Sequence, residues 1–140
     1  MFNLTPFALL FTLACIGISE SAYLIRKRRA AEHPVCPIGQ HCGTVLSSRY
    51  NRFLPGIHND VLGLLFYASF AVIMALMVIL PFPPSYLPVW AFWMLAGATC
   101  MSVALIFIQW RILKAWCFWC IMSAGTVFLM DLIALGASLT

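Results

Sequence analysis

Charged side chains are scarce in this chain. Only 9% of its 140 residues are charged, whereas 64% are hydrophobic, and the mean hydropathy is strongly positive. A soluble domain of this length needs far more polar surface to cover its core. The composition therefore excludes a soluble globular protein and indicates an integral membrane protein.

Basic residues are absent before the first apolar run and appear only after it, as RKRR over 26–29. A secretory signal peptide carries its basic region ahead of the apolar stretch. We therefore interpret the first run as a permanent membrane span.

Four hydrophobic stretches cover residues 5–25, 61–80, 87–108 and 115–137. Each is close to the roughly 20 residues with which a helix crosses about 30 Å of hydrocarbon. Backbone groups in hydrocarbon must be hydrogen-bonded internally, which favours helices and excludes an open sheet. The sequence predicts an all-α membrane protein with one domain, 1–140, built as a four-transmembrane-helix bundle.

The connections between these spans are unequal. Residues 26–60 form the only long polar segment, whereas PFPPS over 81–85 is a tight turn and 111–114 is a short hinge. Within the long loop, apolar residues recur with helical spacing at Leu46, Tyr50, Phe53 and Leu54. This pattern predicts a short amphipathic helix that ends at 55–56 and covers the bundle from the membrane surface. The alternative is a surface loop whose apolar residues touch lipid headgroups.

Two cysteine pairs lie on one face of the membrane, because four spans place the first and third connections on the same side. The motif CFWC puts Cys117 and Cys120 one helical turn apart, with Cβ atoms about 5–6 Å from each other, close enough for a disulfide. The start of a helix stabilises thiolate, and Lys114 adds to this effect at Cys117. Because Cys120 lies one turn deeper, a lipid-soluble electron acceptor could reach it.

The loop motif CPIGQHC over 36–42 leaves three interpretations open. Its two cysteines could form a structural disulfide, act as a mobile redox dithiol, or bind a soft metal together with nearby histidines. These histidines are His33, His41 and His58. The mid-span residues Cys15 and Cys100 have no partner in sequence, and we expect them to be small buried apolar residues.

Taken together, these features resemble the vitamin K epoxide reductase family. The resemblance covers about residues 36–120: the loop cysteine pair, CGTVLSSRY over 42–50, GLLFY over 63–67 at the second helix, and CxxC opening the fourth. The bacterial quinone-linked disulfide generators carry their CxxC before the longer-spaced pair. The order of the pairs in this chain argues against that second family.

The resemblance implies a helix bundle around a quinone pocket and a role for each cysteine. Cys36 would meet a partner protein, and Cys42 would exchange with Cys117. Cys120 would face a quinone such as ubiquinone or menaquinone.

The resemblance also implies candidates for the pocket wall. Ser48 matches the family's loop serine or threonine, and Asn59 is a candidate for its loop asparagine. Trp119 could stack on the quinone or serve only as an interfacial anchor. Ala124 stands where the animal enzymes carry a tyrosine, so vitamin K epoxide is not the substrate that we expect.

The six-residue step between the loop cysteines is similar to that of microbial members, which oxidise protein thiols and reduce a membrane quinone. We therefore expect a quinone-dependent protein-dithiol oxidase that promotes disulfide formation. Its partners would be membrane lipid and a separate thioredoxin-like protein, with no nucleic acid. The alternative is a non-catalytic metal-binding or sensing membrane protein.

Two acidic residues lie inside apolar runs, where charge is costly. Glu20 is near the end of its span, and we expect it to extend toward Arg26 or Lys27. Asp131 is nearer the opposite face, far from the cysteines.

The eight basic residues all fall on the cysteine face: Arg26, Lys27, Arg28, Arg29, Arg49, Arg52, Arg111 and Lys114. The positive-inside rule therefore predicts that the cysteines are cytoplasmic. The alternative is an extracytoplasmic cysteine face, because most members of the family that the chain resembles work on that side. A cytoplasmic disulfide generator suits a hyperthermophile, whose intracellular proteins can be rich in disulfides.

This orientation predicts the labelling of Cys36. A membrane-impermeant thiol reagent should leave Cys36 unlabelled in intact cells and modify it only after lysis. Labelling of intact cells would place the cysteine face outside.

Overall fold

The computed structural model describes residues 4–32, 34–37, 44–45, 48–54 and 56–139. Four helices form the bundle: α1 Thr5–Arg29, α2 Asn59–Ile79, α3 Tyr86–Phe107 and α4 Phe118–Leu139. All four elements are long and apolar enough to cross a membrane. The predicted four-helix membrane bundle is confirmed, with helix ends within a few residues of those expected.

Small residues on one side of α1 let α2 pack closely against it. Ala14, Gly17 and Ser21 are buried at helical spacing, and Tyr67 of α2 lies directly against Gly17. Membrane helices associate through such close packing because lipid leaves little hydrophobic drive between them. The rest of the core is apolar and includes Leu10, Phe70, Met74, Leu95, Val127 and Met130.

An ion pair joins the end of α1 to the start of α2. Arg28 donates from Nε to Asp60 Oδ2 at 3.0 Å and from Nη2 to Oδ1 at 3.1 Å. The Asp60 side chain is only 4% exposed. A two-pronged guanidinium contact of this kind fixes geometry as well as charge, so it sets how the two helices meet at the cysteine face.

The helical path of α3 continues beyond its α-helical part. Residues Ile108–Leu113 form a π-helix, and Lys114 then adopts a left-handed conformation with φ 50°. The backbone N–H of Ala115 donates to the Gln109 carbonyl at 3.2 Å and closes this end. The predicted hinge over 111–114 is therefore wrong for most of its length, because the wider π turn keeps the backbone hydrogen-bonded up to Leu113.

The long loop contains a short antiparallel hairpin. Strand β1, Arg52–Leu54, pairs with β2, Ile57–His58, so that Arg52 lies opposite His58. Gly56 supplies the positive φ of 89° at the turn, which a residue with a Cβ adopts only at a cost.

The amphipathic helix predicted over 46–54 is wrong in its described part. Ser48 is extended, with φ −69° and ψ 157°, and only a single 3-10 turn, Arg49–Asn51, separates it from β1. Pairing with β2 gives the segment hydrogen bonds that a helix would otherwise have supplied. Residues 46 and 47 lie outside the described part of the chain.

The contact between α1 and α2 predicts a large effect for Gly17→Ala. The added Cβ would overlap the ring of Tyr67, and this ring is held in place because its hydroxyl is hydrogen-bonded to Ser123. We expect overpacking to lower the free energy of unfolding by about 1–3 kcal/mol, measured by thermal or denaturant unfolding in detergent.

Gly97→Ala is the matched control, since a Cβ at this exposed helical position meets nothing within 4 Å. It should leave stability unchanged or raise it. Equal stability of the two variants would contradict the proposed close contact.

Candidate redox site

Cys117 occupies the position immediately before α4. Its carbonyl accepts the first helical hydrogen bond, from Ile121 N–H at 3.1 Å, so it acts as the N-cap residue. Its own backbone N–H donates to Gln109 Oε1 at 2.9 Å, and Gln109 is itself buried. The π-helix at the end of α3 thus supplies the side chain that fixes the backbone of Cys117.

The Cys117 sulfur lies in a setting that stabilises thiolate. A hydrogen bond from the Cys120 thiol lowers the pKa of Cys117 to about 7, against the opposing effect of burial, and the backbone N–H groups of Cys120 and Trp119 add to the lowering. The backbone N–H groups thus contribute as the sequence predicts, whereas Lys114, which we expect to add to their effect, is not among the groups that shift this pKa. The arrangement is typical of a nucleophilic cysteine at a helix start.

Trp119 holds the loop against this pair. Its indole Nε1 donates to the Val35 carbonyl at 2.7 Å, while Val35 N–H donates to the Tyr23 hydroxyl at 3.0 Å. The Tyr23 and Trp119 rings lie 4.8 Å apart, centroid to centroid. Cys36, the next residue, packs in the same apolar cluster as Cys117.

The cysteines differ in redox state. Cys36 is disulfide-bonded, whereas Cys117 and Cys120 are free thiols. Cys42, together with His33 and His41, lies outside the described residues. The structure thus brings one loop cysteine next to the helix dithiol.

A small cavity of about 80 Å³ adjoins Cys120. All four helices contribute to its wall, and its lining includes Glu20, Asn59, Asp60 and Trp119. Cys120 therefore faces a space inside the bundle, whereas Cys117 lies nearer the loop.

A larger cavity of about 470 Å³ lies between α2 and α3. Its wall is mostly apolar and extends to the lipid-facing side of the bundle, where the lining residue Leu65 is 58% exposed. The two cavities share wall residues, namely Asn59, Gly63, Ser102, Leu105 and Ser123. The larger cavity has the volume and apolar character of a small-molecule site.

Two predicted pocket residues lie at the junction with the loop. Ser48 and Asn59 both line a further cavity of about 30 Å³ that also touches Cys120. Ser48 Oγ donates to the Val45 carbonyl at 2.7 Å, and Asn59 Nδ2 donates to the Tyr50 carbonyl at 2.9 Å. Asn59 Oδ1 is buried without a hydrogen-bond partner among the described residues.

Other candidates from the sequence are placed away from this site or bonded differently. Cys100 is exposed, and Cys15 is half-buried, so the expectation of two buried apolar residues is wrong for Cys100. His58 Nδ1 lies 3.1 Å from Arg28 Nη1. Across the described part of the chain, no three His, Cys, Asp or Glu residues gather as a metal-ligand set.

Sequence reasoning missed several residues that shape the site. Gln109 gave no signal because a lone glutamine follows no motif, and Tyr23 and Val35 meet Trp119 only through the fold. Glu20 was expected to extend toward Arg26 or Lys27, yet it is buried and lines the cavity beside Cys120. Lys27 instead pairs with Glu32 at 2.9 Å.

The chain also matches a known protein family. The model of the vitamin K epoxide reductase family matches residues 8–135, nearly the whole chain. The chain belongs to the vitamin K epoxide reductase family. It is therefore a membrane thiol–disulfide oxidoreductase, and the family gives a reason for its paired cysteines. No curated protein matches the chain.

The contacts of Cys117 predict how the reactivity of its thiol depends on pH. Its reactivity toward a small alkylating reagent should rise with pH around a midpoint of about 7, because thiolate forms there. In Cys120→Ala the midpoint should move upward, since the donor that stabilises the thiolate is lost. Cys120→Ser keeps a hydroxyl donor and should move it less.

The measurement is the alkylation rate against pH, with the site of modification identified by mass spectrometry. Cys100→Ala serves as the control, since its exposed thiol lies outside the pair. An unchanged midpoint in Cys120→Ala would show that Cys120 does not stabilise the Cys117 thiolate.

Proposed function

We propose that this protein is a quinone-dependent protein-dithiol oxidase that promotes disulfide formation. It would oxidise a thioredoxin-like partner and pass the electrons through its two cysteine pairs to a membrane quinone. The observation that carries the proposal is the hydrogen bond from Trp119 to Val35. It holds the loop-cysteine segment against a helix dithiol whose second cysteine faces a cavity in the bundle.

Electrons would move by successive thiol–disulfide exchange. The Cys36–Cys42 disulfide oxidises the partner dithiol and becomes a dithiol itself. The Cys42 thiolate then attacks Cys117 of the Cys117–Cys120 disulfide, and Cys120 leaves. Cys36 resolves the resulting Cys42–Cys117 mixed disulfide, so that two electrons now reside in the helix pair.

The helix pair would be reoxidised by the quinone. A quinone supplies a two-electron acceptor that dissolves in lipid. The apolar wall of the large cavity suits its isoprenoid tail, and the shared wall leads from there to the small cavity beside Cys120. The residues that would hold its ring are Ser48, Asn59 and Trp119, which line the cavities around Cys120.

Asn59 has a specific chemical role in this proposal. A carbonyl can only accept a hydrogen bond, so the contact with Tyr50 directs the Asn59 amide nitrogen toward that carbonyl. Its Oδ1 is therefore the atom left to accept a hydrogen bond. A quinol hydroxyl is a donor, and Asn59 would thus favour the reduced product.

Ala124 supports a substrate other than vitamin K epoxide. The animal members of the family carry a tyrosine at this position, and here the small side chain is buried in the wall of the cavity next to Cys120. No hydroxyl is available from residue 124 to polarise an epoxide or carbonyl oxygen.

The cysteine face would be cytoplasmic, as the basic residues indicate. Because Cys36 is disulfide-bonded, the labelling experiment requires prior treatment with a membrane-permeant reductant. Ser85→Cys is a suitable marker for the other face, since Ser85 is exposed in the proline-rich turn. It should be labelled in intact cells.

The proposal predicts which cysteines are required for quinone reduction. With a reduced thioredoxin-like protein as donor, the purified protein in detergent should reduce a short-chain ubiquinone or menaquinone. Cys117→Ala and Cys120→Ala should abolish turnover, because neither variant can form the helix disulfide. Cys36→Ala should lose turnover with the protein donor and recover part of it with a small dithiol that reaches the helix pair directly.

Quinol formation is followed by absorbance, and Cys100→Ala is the control that should keep wild-type turnover. Absence of turnover in the wild type with every quinone would overturn the proposal. Zinc or copper retained through purification would then support the metal-binding alternative.

A further inference from the structure

Glu20 is a buried carboxyl group in a membrane helix. Glu20 is only 8% exposed, and its Oε2 has no hydrogen-bond partner among the described residues. Burying a carboxylate without a partner is costly. Among the described residues no ion pair joins Glu20 to a cation, whereas Lys27 pairs with Glu32 and Arg28 with Asp60.

Glu20 lines the same cavity of about 80 Å³ as Cys120. The other acid on this wall, Asp60, is neutralised by Arg28, and its Oδ1 also accepts the Val61 N–H. Glu20 is thus the carboxyl group of this wall that keeps an oxygen available for a proton.

Another titratable group, Tyr67 of α2, lies within range of the charge of Glu20. The Tyr67 hydroxyl is engaged with Ser123, at 3.1 Å from the carbonyl oxygen and 2.9 Å from Oγ. From α3, the cavity wall receives only Ser102 and Leu105, neither of which titrates in the physiological range. Among the described residues, Glu20 is therefore the carboxyl group on the same cavity wall as Cys120 that keeps an oxygen without a hydrogen bond.

The reaction at this cavity requires proton movement. Conversion of two thiols to a disulfide releases two electrons and two protons, and reduction of a quinone to a quinol consumes the same number of each. An apolar cavity disfavours separated charge, so the proton must follow the electrons through a nearby group.

We propose that Glu20 is the proton-transfer group of this site, accepting the proton of the Cys120 thiol and delivering it to a quinone oxygen. As the Cys117–Cys120 bond forms, the S–H bond of Cys120 breaks and its proton passes to the Glu20 carboxylate. The resulting carboxylic acid protonates the acceptor and returns to its initial state. This inference rests on the proposed quinone-dependent function.

The second proton of the reaction comes from Cys117 and does not pass through Glu20. Cys117 lies beneath the polar loop and releases its proton toward the aqueous face, while the second quinone oxygen takes up one proton from water. The sum is two thiols and one quinone giving one disulfide and one quinol, with Glu20 unchanged.

The first test is a single-turnover experiment. The helix pair is reduced with a small dithiol, and its reoxidation by a short-chain ubiquinone is followed by stopped flow. Glu20→Gln should slow reoxidation about 10²-fold, within the range of general acid–base effects. Glu20→Asp, which keeps a carboxyl group, should recover part of the rate.

Asp131→Asn is the matched control. Asp131 is also a carboxyl group within a span, but it accepts a hydrogen bond from Thr99 at 2.7 Å and lies outside the cavity wall. Its variant should reoxidise at the wild-type rate. Equal rates for Glu20→Gln and wild type would overturn the inference, whereas an inactive wild type would overturn the proposed function instead.

The second test needs no quinone: the reduced helix pair is oxidised with a small disulfide, so the proton that Glu20 accepts from Cys120 has no quinone to pass to and stays on the carboxyl group. Infrared difference spectra between the oxidised and reduced helix pair should contain a carboxyl C=O band that is absent in Glu20→Gln and present in Asp131→Asn. A purely structural Glu20 would give no such band. Its absence from the wild-type spectrum would therefore also overturn the inference.

Discussion

The hydrogen bond from the Trp119 indole to the Val35 carbonyl is the contact on which the site depends. It joins a polar loop to a membrane helix, and its donor lies between the two cysteines of the helix pair. An N–H···O bond is directional, so it fixes the orientation of the Val35 carbonyl as well as its distance from the indole nitrogen. Since Cys36 follows Val35 directly, the same bond places Cys36 against the apolar cluster that contains Cys117. The Tyr23 hydroxyl, which accepts the Val35 N–H, holds the segment from the α1 side.

Buried polar atoms divide into two groups in this bundle. Those that define the architecture are paired: Asp60 with Arg28, Gln109 with the backbone of Cys117, and Tyr67 with Ser123. The two side-chain oxygens that lack a partner among the described residues belong to Glu20 and Asn59, and both residues line the cavity beside Cys120. Since unpaired buried oxygens are costly, their position on one wall is better explained by a ligand than by packing.

The membrane bundle and the redox helix were predictable because their signals are local. Span length follows from hydrophobicity, and CFWC carries its chemistry within one helical turn. The loop was harder, since the helical spacing of its apolar residues competed with strand pairing across the turn at Gly56. Glu20 shows the same limit. Nearness in sequence favoured Lys27 as a partner of Glu20. In the fold, however, Glu20 lines the cavity and Lys27 pairs with Glu32.

One helical turn makes the two cysteines of the helix pair chemically unequal. Cys117 lies before the first turn of α4, where backbone N–H groups and the Cys120 thiol favour its thiolate, and it is the sulfur nearer the loop. Cys120 lies on the cavity wall with Glu20. In the proposed reaction, an incoming thiolate that attacks Cys117 would displace Cys120 on the cavity side, next to the wall that Glu20 also lines. In the proposed reaction, electrons that enter from the aqueous side would reach the membrane acceptor without either sulfur having to move far, because the helix already spans the boundary between the two environments.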